Sequence, residues 1–177
     1  MKAFSGIIAA ISLLSYLFIY TPLKRKTPFA VVVGGIPGAL PPLIGWAAVG
    51  GSLSTEAWSL FYILFFWQIP HFLSLAWMFK DEYLQAGYKV LTTIDVTGKA
   101  ASRQILIYCS VLLPASVLPT VIGLKGFTYF CGALLLSIGY LLPAIQLYRK
   151  RSLTAARRLF FFSLVFLPSL FFLLMVT

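Results

Sequence analysis

The sequence predicts an all-α integral membrane protein built as a bundle of about six transmembrane helices. Three observations carry this. Of its 177 residues 60% are hydrophobic and only 10% charged, with a mean hydropathy of +0.95, whereas soluble domains carry about 25% charged residues. Six runs contain no charged residue at all, residues 3–20, 29–49, 57–79, 104–124, 126–148 and 159–177. Each approaches or exceeds the ~20 apolar residues a spanning helix needs. Third, 12 of the 14 basic residues fall in alternate connections between these runs.

That alternation orients the chain. Lys24, Arg25 and Lys26 follow the first run. Lys80, Lys89, Lys99 and Arg103 follow the third, and Arg149, Lys150, Arg151, Arg157 and Arg158 follow the fifth. Short basic loops stay on the cytoplasmic side, so the segments 24–26, 80–103 and 149–158 are expected there and both chain ends opposite. Lys2 and Lys125 are the exceptions. The net charge of +10 is thereby explained by topology and by contact with anionic head groups or substrates. A nucleic-acid binder would need a basic face on a soluble fold. Helices are the default in lipid because each backbone group must be satisfied within its own segment.

Taken in order, residues 3–20 read as a retained span, since the run is longer than a signal-peptide core and no A-x-A site follows it. The second run holds Gly34, Gly35, Pro37, Gly38, Pro41, Pro42 and Gly45. Such a helix must kink, and its freed backbone groups must face protein or a cavity. Two roles stay open for it, close packing through small residues and a broken helix lining a pocket. The third run carries the only histidine, His71. Trp67, His71, Ser74 and Met78 follow at spacings that place them on one helical face, and Pro70 weakens the helix beside the imidazole. An ionisable group inside a span is a candidate functional group.

Beyond that run lie three of the four carboxylates, Asp81, Glu82 and Asp95. Residues 81–86 read as a short amphipathic piece, Gly87 as a breaker, and the stretch to Gly98 as irregular. The Asp81–Glu82 pair offers hard oxygen ligands of the kind Mg²⁺ shares with phosphates, and reads equally as a solvated helix end. Pro114, Pro119, Pro143 and Pro168 predict kinks in the last three spans. Cys109 and Cys131 read as small buried hydrophobes without metal or disulfide spacing.

Several ordered motifs resemble those of the UbiA-type intramembrane prenyltransferases. Tyr20-Thr21-Pro22-Leu23-Lys24-Arg25-Lys26-Thr27-Pro28 is similar to their Y-T-x-x-K-R-x-T-P segment. Pro37-Gly38-Ala39-Leu40-Pro41-Pro42-Leu43-Ile44-Gly45-Trp46 looks like the signature of the protohaem IX farnesyltransferase (haem O synthase) branch. Trp67, Pro70, His71 and Phe72 match its W-x-x-P-H-F element. Lys80, Asp81, Glu82, Tyr83, Ala86 and Gly87 match its K-D-[DE]-Y-x-x-A-G loop, and Arg103-Gln104-Ile105 and Ala156-Arg157-Arg158-Leu159-Phe160 fit later positions.

The resemblance implies a single transmembrane prenyltransferase domain over residues 1–177 in a bacterial cytoplasmic membrane. It implies transfer of a farnesyl group from farnesyl diphosphate to a vinyl group of haem B, giving haem O. It implies Mg²⁺ held with the diphosphate by Asp81 and Glu82, Asp81, Lys24 and Arg25 as catalytic residues, and Tyr20, Trp67, His71, Tyr83 and Arg103 as substrate-binding residues. His71 is a candidate haem-iron ligand or propionate contact, and Trp67, Phe66 and Phe72 candidate cation–π partners. Beyond the bilayer and the two substrates, haem A synthase and terminal-oxidase assembly proteins are candidate partners. Family members have about nine spans and an N-D-x-x-D motif that does not occur in this chain. The sequence is therefore expected to be a fragment, truncated at its N-terminus, resembling the last six spans. A prenyltransferase for an aromatic quinone precursor, a small transporter and a non-catalytic membrane remnant or accessory protein are the alternatives.

Overall fold

The computed structural model describes residues 2–50 and 52–177, and among them the secondary structure is helical without a strand. Six helical segments are long and apolar enough to span a membrane: Ala3–Leu23, Ala30–Gly50, Thr55–Met78, Lys99–Val121, Phe127–Lys150 and Leu153–Val176. The predicted all-α membrane architecture is thus observed.

The first span starts as α1 (Lys2–Ser15) and widens into a π turn at Tyr16–Tyr20 before closing at Thr21–Leu23. Pro22 explains the widening. It has no N–H to give the Phe18 carbonyl, and the Thr21 N–H reaches back five residues to Tyr16 O. A π turn of this kind often marks a functional position.

The second span is two helices, α2 (Ala30–Ala39) and α3 (Pro41–Gly50), separated at Leu40. Pro41 cannot donate to the Pro37 carbonyl. Ser12 of α1 does so instead, its Oγ 3.1 Å from Pro37 O. The predicted kink is real, and the Pro37 carbonyl is shared between the Leu40 N–H at 3.4 Å and the neighbouring helix rather than left in lipid.

The third span is α4 (Thr55–Met78), followed by two short helices, α5 (Lys80–Gln85) and α6 (Leu91–Ile94). Gly87 ends the first with φ +71°, as expected of a breaker. The fourth span, α7 (Lys99–Val121), begins five residues before the sequence reading placed it, so Arg103 lies on a helix and not in a loop. The early start has a cause. Gly98 turns the chain with φ +66°, and Asp95 accepts hydrogen bonds from the N–H groups of Ala100 and Ala101 in the first turn of α7.

Helices α8 (Phe127–Lys150) and α9 (Leu153–Val176) are joined by Arg151, in the left-handed region at φ 46°, and Ser152, whose Oγ accepts from Ala155 N. Arg157 and Arg158 therefore belong to the first turns of α9. Helices α4, α7, α8 and α9 pack in a closed ring, each against the next. Its core is large and apolar, with Tyr129, Tyr140, Phe166, Ile105 and Leu112 all but fully buried. A serine pair and a tyrosine bind two of the helices where no hydrophobic effect can: Ser116 and Ser137 hydroxyls lie 2.6 Å apart, and Tyr129 donates to Ser116 O at 2.8 Å. The broken second span leans on the α4 side of this ring, and α1 packs outside it.

Candidate functional site

A cavity of about 690 Å³ lies between α1, α2, α4 and the connection after α5, a size typical of small-molecule sites. Its walls are mostly apolar. The few polar groups come from four separate stretches: Ser12, Tyr16 and Tyr20 from the first span, Gln68 and His71 from α4, Lys24, and the Tyr83–Lys89 segment. Because the first half of span two is rich in glycine, α4 can approach it closely. Gln68 Nε2 donates to Gly35 O at 2.7 Å, and a Cβ at Gly38 would run into the Gln68 amide, just as one at Gly34 would run into the Tyr20 ring.

His71 is fixed on all sides but one. Its ring is sandwiched between Trp67, centroids 4.8 Å apart at 17°, and Phe160 of α9, 5.0 Å apart at 23°. Its Nδ1 lies 2.7 Å from Ser163 Oγ. The Ser163 hydroxyl also lies 2.5 Å from the Phe160 carbonyl. When it donates there, Nδ1 carries the proton of the contact and Nε2 presents a bare lone pair; when it donates to Nδ1, the proton sits on Nε2. Trp67 is held by the same residue, its Nε1 donating to Ser163 O at 2.9 Å.

At the other end of the cavity, the Lys24 ammonium lies over two phenol rings, 5.8 Å from Tyr20 and 5.1 Å from Tyr88. The backbone locks this arrangement, since Lys89 N–H donates to Lys24 O at 3.1 Å. Tyr83 and Tyr88 meet edge to face at 5.7 Å. Burial pushes the Tyr83 phenol above its ordinary pKa, so it stays a neutral hydrogen-bond donor.

Of the residues singled out from sequence, Tyr20, Lys24, Trp67, His71 and Tyr83 line this one cavity. Phe72 lines it too, while Phe66 packs against the core of the helix ring. Asp81, Glu82, Arg25 and Arg103 are exposed and outside its lining. Asp81 and Glu82 share the single-and-a-half turn of α5 with Tyr83, which does reach the cavity. Asp95, grouped with them by sequence, is committed elsewhere: its carboxylate accepts from Thr97 N and Oγ1 as well as from Ala100 and Ala101. Among the described residues no three His, Cys, Asp or Glu side chains cluster as a metal site. Sequence reasoning missed Ser163, Phe160, Tyr88 and Lys89. Gln68, three residues before His71 and noted for that spacing, does line the cavity.

An apolar cavity among spanning helices, with one imidazole inside it and an ammonium at its end, is the site this integral membrane protein encloses. Residues 1–167 match the family described as the UbiA prenyltransferase family, and the chain belongs to that family. It is 45% identical over 164 residues to a protoheme IX farnesyltransferase of Solibacter usitatus, covering 93% of this chain and 56% of the relative. A protoheme IX farnesyltransferase of Myxococcus xanthus is 43% identical over 93% of the chain and 56% of its own length. The mitochondrial protoheme IX farnesyltransferase of Arabidopsis thaliana is 38% identical over 91% of the chain and 37% of its own. The chain spans about half the length of the curated bacterial relatives it matches. No solved structure matches it.

Proposed function

We propose that the chain forms the acceptor-binding part of a protohaem IX farnesyltransferase, residues 1–177 acting as one transmembrane prenyltransferase domain in a bacterial cytoplasmic membrane. The observation that carries this reading is the oriented His71 inside an apolar cavity that ends at Lys24. In the reaction, the allylic C–O bond of farnesyl diphosphate breaks and diphosphate leaves with the electron pair. The vinyl group of haem B attacks the allylic carbon. Water adds to the resulting cation beside the macrocycle and loses a proton, giving the hydroxyethylfarnesyl group of haem O.

The residues divide this work. Lys24 faces the growing charge on the diphosphate, with Arg25 adjacent at the surface, because fixed cations aimed at developing charge lower the barrier most. Tyr83 donates a hydrogen bond from the same end. Trp67 and Phe72 line the path of the allylic carbon, where an aromatic face stabilises a cation and an apolar wall excludes water. Burial of the reacting centre keeps water away until the acceptor is in place. Tyr20 walls the tail, and Arg103, exposed on α7, is assigned to the acceptor's carboxylates at the membrane surface.

Asp81 and Glu82, exposed on α5 next in sequence to the cavity-lining Tyr83, supply hard oxygens of the kind that fit Mg²⁺, which is held by one or two protein carboxylates with phosphate oxygens completing the shell. Asp81 and Glu82 would hold it. Bound there, Mg²⁺ would neutralise the leaving diphosphate.

His71 is the ligand of the haem iron in this reading. This reading takes the tautomer with the proton on Nδ1, given to Ser163, which leaves Nε2 a lone pair for iron rather than a donor for a propionate. The test is haem extraction and mass analysis from a bacterium unable to make haem O. It carries either this chain alone or this chain joined to the segment of the Solibacter usitatus relative that it does not cover. Haem O from either supports the assignment. Its absence from both, with the protein present in the membrane, leaves a non-catalytic accessory chain.

A further inference from the structure

A second concavity lies between α8 and α9, away from the cavity of His71. It measures about 940 Å³. Its walls are apolar, with Leu142 from α8 and Phe161 and Val165 from α9. Its rim is basic: Arg149 and Lys150 end α8, and Arg157 and Arg158 lie in the second turn of α9. The positive-inside rule explains why cations lie on this side of the membrane. It does not explain their convergence. Arg151 belongs to the same connection, yet the left-handed turn sends it to a different recess beside Asp95 and Lys80. The other four face one groove. None of the chain's carboxylates lines it. Arg158 is held across it, its Nη1 donating to Gln146 Oε1 of α8 at 3.3 Å. The first turn of the 24-residue α9 adds the positive end of a long helix dipole, and Thr154 of that turn lines the groove.

We propose that this groove is a binding site for an anionic phospholipid. The phosphodiester meets Arg149, Lys150, Arg157 and Arg158, and the proximal acyl chains lie along Leu142, Phe161 and Val165. Charge complementarity selects the head group. Guanidinium forks bind phosphate oxygens in pairs. Juxtamembrane basic clusters attract anionic lipid, and here the cluster is set over an apolar slot whose long axis follows the helices. A soluble phosphate would leave that slot empty.

The test is titration of the purified protein, in neutral detergent micelles, with dioleoyl phosphatidylglycerol, with bound lipid counted by native mass spectrometry. The account expects phosphatidylglycerol to bind in preference to phosphatidylcholine. It expects the Arg157→Gln/Arg158→Gln pair to weaken it about tenfold or more, and the Lys26→Gln/Lys99→Gln pair, with equal charge loss on the same side, by less than about twofold. Leu142→Trp, which fills the slot without touching a charge, should weaken it as well. Equal losses in both charge pairs, or an unaffected Leu142→Trp, would overturn the site. Displacement by inorganic pyrophosphate at matched concentration would make it a simple phosphate patch. Displacement by farnesyl diphosphate but not phosphatidylcholine would reassign it to the prenyl donor. Either result contradicts the phospholipid assignment.

Discussion

His71 and Ser163, ninety-two residues apart in sequence, meet at 2.7 Å between Nδ1 and Oγ. The contact joins the third span to the last and engages Nδ1, so that in the proposed reading iron meets the ring at Nε2. Removing it tests the role of His71 without removing the imidazole. Ser163→Ala keeps the backbone carbonyl that holds Trp67, so the aromatic wall stays. Haem affinity, followed by absorbance titration, should fall about tenfold to a hundredfold, the usual loss when the partner that orients a ligating histidine is removed. An unchanged affinity would mean that His71 does not bind the iron.

Lys24 stands over the rings of Tyr20 and Tyr88, positioned by cation–π attraction rather than by a carboxylate. Lys24→Gln should lower kcat/KM for farnesyl diphosphate by about a hundredfold or more, while leaving haem affinity unchanged. Asp81→Asn should act on a different axis and raise the Mg²⁺ concentration needed for half-maximal rate. A Mg²⁺ profile identical to the parent protein would remove Asp81 from the metal shell.

The glycines of span two differ sharply in what surrounds them. A methyl at Gly38 runs into Gln68 and one at Gly34 into Tyr20, while Gly45 has open space. Gly38→Ala and Gly34→Ala should each cost about 1–3 kcal/mol through forced repacking. Gly45→Ala should leave the thermal midpoint in detergent unchanged or slightly raised, since alanine is the better helix former. Equal behaviour of the three would contradict the close approach of α2 to α4 and to the first span.

Asp95 is a cap. Hydrogen bonds, first among them that from the Thr97 hydroxyl, hold its carboxyl below the usual carboxylate range. A depressed folded-state pKa adds stability that is fully present above the unfolded value, near 4, and is lost as pH falls from there through the lower folded value. Asp95→Asn should destabilise the protein by about 0.5–2 kcal/mol at neutral pH. Its thermal midpoint should also decline less than that of the parent between pH 5 and pH 3. A parallel decline in both proteins would show that the cap does not depend on the charge.

Much of this was legible beforehand, and for definite reasons. The spans were legible because lipid demands about twenty uncharged residues in a row. The break at Leu40 was legible because Pro41 and Pro42 cannot donate to the turn before them. Trp67 and His71 were placed on one face by their spacing of four, and they stack. What stayed hidden depends on how helices rotate against each other. Nothing local to His71 names Ser163 or Phe160 as its neighbours. The start of α7 was read late because Lys99, Ser102 and Arg103 are polar, while the signal that begins the helix lies upstream, in the Asp95 side chain and the φ of Gly98. The return of the chain to Lys24 through the Lys89 N–H is a backbone contact that no residue type announces.

The central claim is that the cavity beside His71 accepts haem B as the prenyl acceptor. It is tested most directly in nanodiscs holding this chain joined to the uncovered segment of the Solibacter usitatus relative, supplied with farnesyl diphosphate and Mg²⁺. Haem B and 4-hydroxybenzoate are offered together, and the products are separated by mass. The account predicts haem O as the farnesylated product, lost on His71→Ala, with the benzoate untouched. Prenylated benzoate without haem O, or haem O undiminished by His71→Ala, would contradict it.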